Sequence, residues 1–129
     1  MDLVQERPDY DYVLRAANGS SALVNDRELR ASFILTPHHL VEDWAAGAVQ
    51  ALTPEQLEPL LALEPEVVVI GTGDAQGFPP PQAMAACLSR GVGLEVMTNA
   101  AAARTFNVLA SEGRRVVAGF LIDAPGTAW

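Results

Sequence analysis

The run Val67-Val68-Val69-Ile70 constrains this chain more than any other feature. Four consecutive apolar, β-branched side chains leave no face for water, so the segment reads as a central strand covered on both sides. It stops at Gly71-Thr72-Gly73, residues suited to a tight turn at the end of a strand. A strand of that kind needs layers above and below it. With 129 residues, half of them apolar and 19% charged, the chain can build those layers as one domain, 1–129.

The segments C-terminal to this run supply the cover. A proline-rich loop, Phe78 to Pro81, leads into a helix expected from about Pro81 to Arg90 and closed by Gly91. Leu94 to Met97 is the next strand. Thr98 then caps an alanine-rich helix over about Ala100 to Ser111, ended by Gly113, and Arg114 to Ile122 forms the last strand. Strand, helix, strand, helix, strand in that order implies a β-α-β-α-β parallel core over residues 67–122 with right-handed crossovers.

The chain changes character near residue 53. Thr53-Pro54-Glu55-Gln56 has the form of a capping box, with a hydroxyl N-cap, proline at N1 and glutamine at N3. Leu57, Leu60 and Leu61 share one face of the helix it opens. Pro59 holds that helix to about two turns, because an interior proline lacks a donor and crowds the preceding turn. The α/β core thus spans 53–122. Before it, short β-type runs alternate with turn signals, giving an N-terminal antiparallel meander over 12–46. Its strands are expected at Tyr12–Leu14, at Ser21–Val24, from Glu28 to Leu35, and from about Leu40 to Ala46. Asn18-Gly19 is the hairpin signal between the first two, and Asn25-Asp26 marks the second turn.

Charge and composition narrow the classes of function. Residues 1–66 hold twelve acids against four arginines, a net −8, whereas residues 67–129 hold four of each. The acidic half repels a phosphate backbone, so nucleic acid is not an expected partner. All eight basic residues are arginine, which fits GC-rich bacterial coding and removes lysine Schiff-base and P-loop chemistry. No apolar run approaches the length needed to span a bilayer. The opening MDLVQERPDYDY lacks the features of a signal or transit peptide, so the expected location is the cytoplasm. One cysteine, Cys87, excludes an internal disulfide and a cysteine-rich zinc site.

Two segments are candidates for a site. Gly71-Thr72-Gly73-Asp74-Ala75-Gln76-Gly77 comes directly after a strand but has the spacing G-x-G-x-x-x-G. Prolines succeed it, and no acid stands at Met97-Thr98-Asn99 to take a ribose, so a dinucleotide cofactor is not expected. The glycine turn stays a candidate binding loop because parallel strands present ligands at these ends. Thr98 and Asn99, with Arg104 and Asn107 in the next helix, form the second candidate: first-turn N–H groups and an arginine suit a small carboxylate or phosphate. Read structurally, the same residues are a cap, a solvated arginine and a helix packed through Thr105, Phe106 and Leu109.

His38-His39 with Glu42-Asp43 offers metal-ligand types. Adjacent histidines in an extended segment point to opposite faces, however, so surface histidines and no metal site are expected. Cys87 has no base within reach by sequence and reads as a buried, inert thiol. No complete catalytic constellation appears, which leaves catalysis unsupported.

Val67 to Gly73, Val96-Met97-Thr98, Ala102 to Leu109 and Glu112 to Val116, together with Trp44 and Leu52-Thr53-Pro54, resemble one small-domain family. It is the domain-of-unknown-function family that includes the mitochondrial respiratory complex I assembly factor 3. The likeness covers about residues 12–122, and Phe106 stands where tyrosine is common. The resemblance implies a three-layer α/β domain with an added antiparallel portion, and no established reaction.

Three functions are expected, in order of preference. The leading one is a binding or assembly-type domain that recognises a protein partner, with a small anionic ligand at Gly71, Thr72, Gly73, Thr98, Asn99, Arg104 and Asn107. The second is a small-molecule enzyme using the groove between Gly71–Gly73 and Thr98–Asn99, with Arg104 as anion anchor. The third is a structural homo-oligomer joined by a strand edge or by the alanine-rich helix face.

Overall fold

The structure, a computed structural model, describes residues 10–123. The expectation that the opening residues carry no targeting segment falls largely on residues 1–9, outside the described residues. Eight strands and three α-helices run in the order β1 (Leu14–Ala17), β2 (Ala22–Val24), β3 (Arg27–Leu29), β4 (Phe33–Leu35), β5 (Leu40–Val41), α1 (Pro54–Leu61), β6 (Val67–Gly71), α2 (Pro81–Leu88), β7 (Gly93–Met97), α3 (Asn99–Ser111) and β8 (Val116–Phe120). A 3₁₀ turn at Val49–Ala51 precedes α1.

The main sheet has the order β5-β4-β8-β6-β7. Strand β6 is interior, next to the edge strand β7: it pairs in parallel with β7 on one side (Val67 with Gly93 through Gly71 with Met97) and with the central strand β8 on the other (Val67 with Val116 through Gly71 with Phe120). Every residue of β6 and β8 is buried, as uninterrupted apolar strands require. The first crossover runs from β6 out to β7 and the second from β7 back past β6 to β8, in the opposite direction, so a constant right hand places their helices on opposite faces. Packing agrees. Leu57, Leu60 and Leu61 of α1 and Ala83 and Cys87 of α2 cover Val68, Ile70 and Val117. Ala102, Ala103, Phe106 and Ala110 of α3 cover Val67, Val69, Val116 and Ala118. Strands β1-β2-β3, a small antiparallel sheet, join α3 on that second face and complete three layers.

The N-terminal half differs from the expected single meander. The run from Glu28 to Leu35 is two strands in two sheets. Arg27–Leu29 ends the small sheet, and after Arg30-Ala31-Ser32 the chain re-enters as β4, antiparallel to β8, with Phe33 opposite Phe120. Their rings stack at 5.0 Å. The expected strand from Leu40 to Ala46 is only Leu40–Val41, paired with Leu35 and Ile34. Trp44 lies beyond it in a loop, 5% exposed, its Nε1–H donating to the Gln56 carbonyl at 2.8 Å. Its ring occupies the space that a side chain on Gly119 would need. The tight two-residue turn is Asn25-Asp26, where Asn25 adopts φ 52°, rather than Asn18-Gly19, which sits in a wider connection.

Helix α1 carries the capping box in full: Thr53 Oγ1 accepts the Gln56 N–H and Gln56 Oε1 accepts the Thr53 N–H. The helix runs two residues past Pro59, which is exposed. The prolines that open α1 and α2 stand where a helix N–H has no intrahelical acceptor.

Candidate functional site

Parallel pairing of β6 with β7 brings the Gly71–Gly73 turn and the Thr98 cap side by side at one end of the sheet. The Thr72 N–H donates to the Met97 carbonyl at 2.8 Å and the Asn99 N–H to the Gly73 carbonyl at 2.8 Å. The two segments therefore share one rim. Gly73 has φ 103°, in the region that favours glycine.

The space between the segments is filled by Asn99. Its side chain has no exposure, and its Oδ1 accepts the Gly73 N–H at 3.1 Å. Its Nδ2 donates to the carbonyls of Leu121 at 3.0 Å and Asn18 at 2.9 Å. A Cβ at Gly71 would collide with this carboxamide, so glycine there makes room for it. Asp74 completes the joint, accepting the Gly19 N–H at 2.7 Å, and the Asp123 N–H reaches the Gly19 carbonyl. One carboxamide thus ties together the end of β6, the β1–β2 connection and the segment after β8.

The other expected residues separate by role. Thr98 Oγ1 accepts the Ala101 N–H, a helix cap, and Thr72 Oγ1 donates to the Ala75 carbonyl at 2.6 Å. Asn107 holds Leu14, its Oδ1 accepting the Leu14 N–H at 3.0 Å and its Nδ2 donating to the Leu14 carbonyl at 2.7 Å. Arg104 is exposed on α3 and makes no ion pair or hydrogen bond with the described residues. Ala102, Ala103 and Ala110 of α3 face the sheet, letting the helix pack close, whereas Ala100 is exposed and Ala101 half-buried. At the β7 edge, the Gln76 Nε2 donates to the Val96 carbonyl at 3.2 Å. Cys87 is fully buried in α2, and desolvation pushes its thiol up from the usual value. His38 and His39 are exposed in the β4–β5 turn, and His38 Nδ1 lies 3.1 Å from an Asp11 carboxylate oxygen.

Two features escaped the sequence reading. The first is the outer face of α2. This helix contains no charged residue, and Pro81, Ala85 and Leu88, spaced to share one side, are exposed; Leu88 is 64% exposed. Phe78, just before the helix, is 65% exposed. The uncharged composition was visible in the sequence, but which side stays uncovered was not. The second is a cleft of about 390 Å³ at the opposite end of the sheet, where the end of α1 and the β4–β5 turn meet the start of β8.

The family described as "protein of unknown function (DUF498/DUF598)" matches residues 14–121. The chain belongs to this family. It is 32% identical over 128 residues to the human protein named NADH dehydrogenase [ubiquinone] 1 alpha subcomplex assembly factor 3, covering 98% of this chain and 68% of that one. A Xanthomonas campestris protein solved by NMR superposes with a TM-score of 0.84 at 52% identity, over 100% of this chain and 98% of that one. A Bordetella pertussis protein described as an Mth938-like domain superposes at 0.76 with 28% identity, over 96% and 94%. The mixed α/β architecture is that of the Mth938-like structures. No helix among the described residues is long and apolar enough to cross a membrane.

Proposed function

We propose that this chain is an assembly-type binding domain that recognises a protein partner through the outer face of α2. The observation carrying the reading is the exposed stripe of Pro81, Ala85 and Leu88 on a helix with no charged residue, with exposed Phe78 in the loop just before it. Apart from exposed Gln82, α2 carries only apolar side chains, and a helix with so little polar surface is ordinarily covered on most sides. The inner side of α2 is covered by the sheet and α1, and a partner would cover the outer side. Support of a second kind is the assembly role in the name of the human relative.

The test is capture of partners from the native host with the wild-type chain and with a Phe78→Ser/Leu88→Asp variant. A defined partner held by the former and lost by the latter, with both folded by circular dichroism, is the expected result. Equal capture by both would overturn the assignment to α2. For the assembly role, deletion of the gene should lower the amount of intact NADH dehydrogenase complex on native gels; unchanged amounts would remove that part.

A small anion at the strand C-terminal ends is the second reading, favoured by Arg104, which lies exposed in the helix that Thr98 caps and has no ion pair among the described residues. Asn99, Asn107 and the Gly73 N–H already have protein partners, so the contact would fall to Arg104 and the outer side of the turn. Phosphate titration followed by amide shifts at 98–104, with Arg104→Gln as control, tests it; the absence of saturable shifts would sink it.

A further inference from the structure

Arginines in this acidic chain are mostly held by carboxylates. Among the described residues, Arg15, Arg27, Arg30, Arg90 and Arg114 each form an ion pair, with Asp26, Glu42, Glu28, Glu58 and Glu66 respectively. Arg104 and Arg115 have no carboxylate partner there. Arg104 stands on an open helix face, whereas Arg115 lines the cleft of about 390 Å³ at the N-terminal end of β8.

The local chain fixes Arg115 in place. Its Nε–H donates to the Glu64 carbonyl at 3.2 Å, and its backbone N–H donates to a Glu66 carboxylate oxygen at 2.8 Å. Glu64 itself adopts φ 56°, a left-handed conformation in which residues with a side chain are strained and which gathers at functional positions. The two terminal nitrogens of the Arg115 guanidinium have no hydrogen-bond partner among the described residues. A planar, permanently charged fork, anchored at one end and free at the other, is suited to a bidentate carboxylate.

The rest of the cleft narrows the ligand. Its walls include Pro37, Ala62, Leu63 and Val117, and Leu63 is left 37% exposed at the rim. The volume lies at the small end of the range for ligand pockets. Glu64, Arg114, His38 and His39 also line the cleft. Arg114 is paired with Glu66 and His38 contacts Asp11, which leaves Arg115 as the lining arginine without a carboxylate partner among the described residues and favours a singly charged group.

We propose that this cleft binds a small monocarboxylate with a short apolar tail, its carboxylate on the Arg115 guanidinium and its hydrocarbon against Leu63 and Pro37. The site is separate from the α2 face and from the Thr98 rim, and it stands or falls independently of both. The step is reversible binding, with no bond made or broken.

Hexanoate titrated into the ¹⁵N-labelled chain is the test. Saturable amide shifts confined to residues 36–39, 62–66 and 113–117 are expected. Arg115→Gln should weaken binding about tenfold or more, the usual scale for losing a charge-assisted contact. Arg115→Lys should retain part of the affinity, and Arg104→Gln should change nothing. If Arg115→Gln does not fold, the Arg115→Lys titration and the phosphate arm carry the comparison. Inorganic phosphate should bind more weakly than hexanoate. No saturable shift, shifts spread over the surface, equal binding of phosphate and hexanoate, or an affinity indifferent to residue 115 would each overturn the proposal.

Discussion

Asn107 offers Leu14 what a neighbouring strand would offer, one acceptor for its N–H at 3.0 Å and one donor for its carbonyl at 2.7 Å. The two residues are 93 positions apart, and through them α3 fastens the first strand of the small sheet to the main domain. Leu14 is 3% exposed, so its backbone has little access to replacement by water. Asn107→Ala should lower stability by about 2 kcal/mol, the scale for leaving partly buried polar groups unmatched. Urea unfolding measures the loss, and hydrogen exchange at the Leu14 amide should speed up more than exchange in β6.

Asn99 is the more demanding case, because it is fully buried and serves three backbone groups in three segments. Asn99→Asp tests the directions of those bonds. An aspartate can still accept from Gly73 but cannot donate to Asn18 or Leu121 when ionised, and it would face two carbonyl oxygens. We expect a loss of about 3 kcal/mol or more at neutral pH, with partial recovery at acid pH as the carboxyl group protonates. A variant as stable as the wild type at pH 7 would contradict this account of the joint.

These two asparagines mark the limit of what could be read from the sequence. Residue type identified both as hydrogen-bonding groups, and the rim that Asn99 occupies forms as the parallel pairing of β6 and β7 requires, whereas Asn107 lies further along α3 against Leu14. Which groups they bind could not be read, since their partners Leu14, Asn18 and Leu121 come from distant segments. The parallel core was legible because β6 and β8 are buried on both faces and carry local signals: unbroken apolar runs, the Thr53 box and the Thr98 cap. Strand β4 was not, because its membership of the main sheet depends on pairing with β8, some ninety residues away, and on the stacking of Phe33 with Phe120. The cleft was illegible for the same reason: its walls come from three segments and no motif joins them.

Cys87 should be slow to react in the native protein. It is fully buried, and desolvation raises its pKa above the usual 9.0, against a smaller opposing influence of Arg90, so the thiolate is scarce near pH 8. If access requires an opening of about 4 kcal/mol, modification by a disulfide reagent is slowed about a thousandfold relative to the unfolded chain. Stopped-flow measurement in buffer and in urea makes the comparison; equal rates would show that α2 is not packed as described.

Glu66 gives a pH dependence of known sign. The Arg115 backbone N–H is the main cause that holds its carboxyl below the usual value of 4.5, with the Arg114 side chain adding to it. The unfolded chain then binds this proton more readily than the native chain does. The stabilisation is present in full above pH 4.5 and is lost as pH falls through the lower native value. Carbonyl NMR should show Glu66 titrating below the usual value of 4.5, and Glu66→Gln should flatten the acid limb of the stability profile below pH 4.5.

Glu64 closes the connection from α1 to β6 at φ 56°, where its Cβ crowds the backbone and glycine would not. Glu64→Gly relieves that strain, worth about 1–2 kcal/mol, but frees the unfolded chain by about 0.4–1 kcal/mol, so a net gain of about 0.5–1 kcal/mol is expected. The contact made by its carbonyl with the Arg115 Nε–H belongs to the backbone and survives the change. Glu64→Ala separates strain from charge: it removes the carboxylate and keeps the Cβ, so it should give no comparable gain. Urea midpoints for the two variants decide the matter, and equal stabilisation by both would assign the effect to charge.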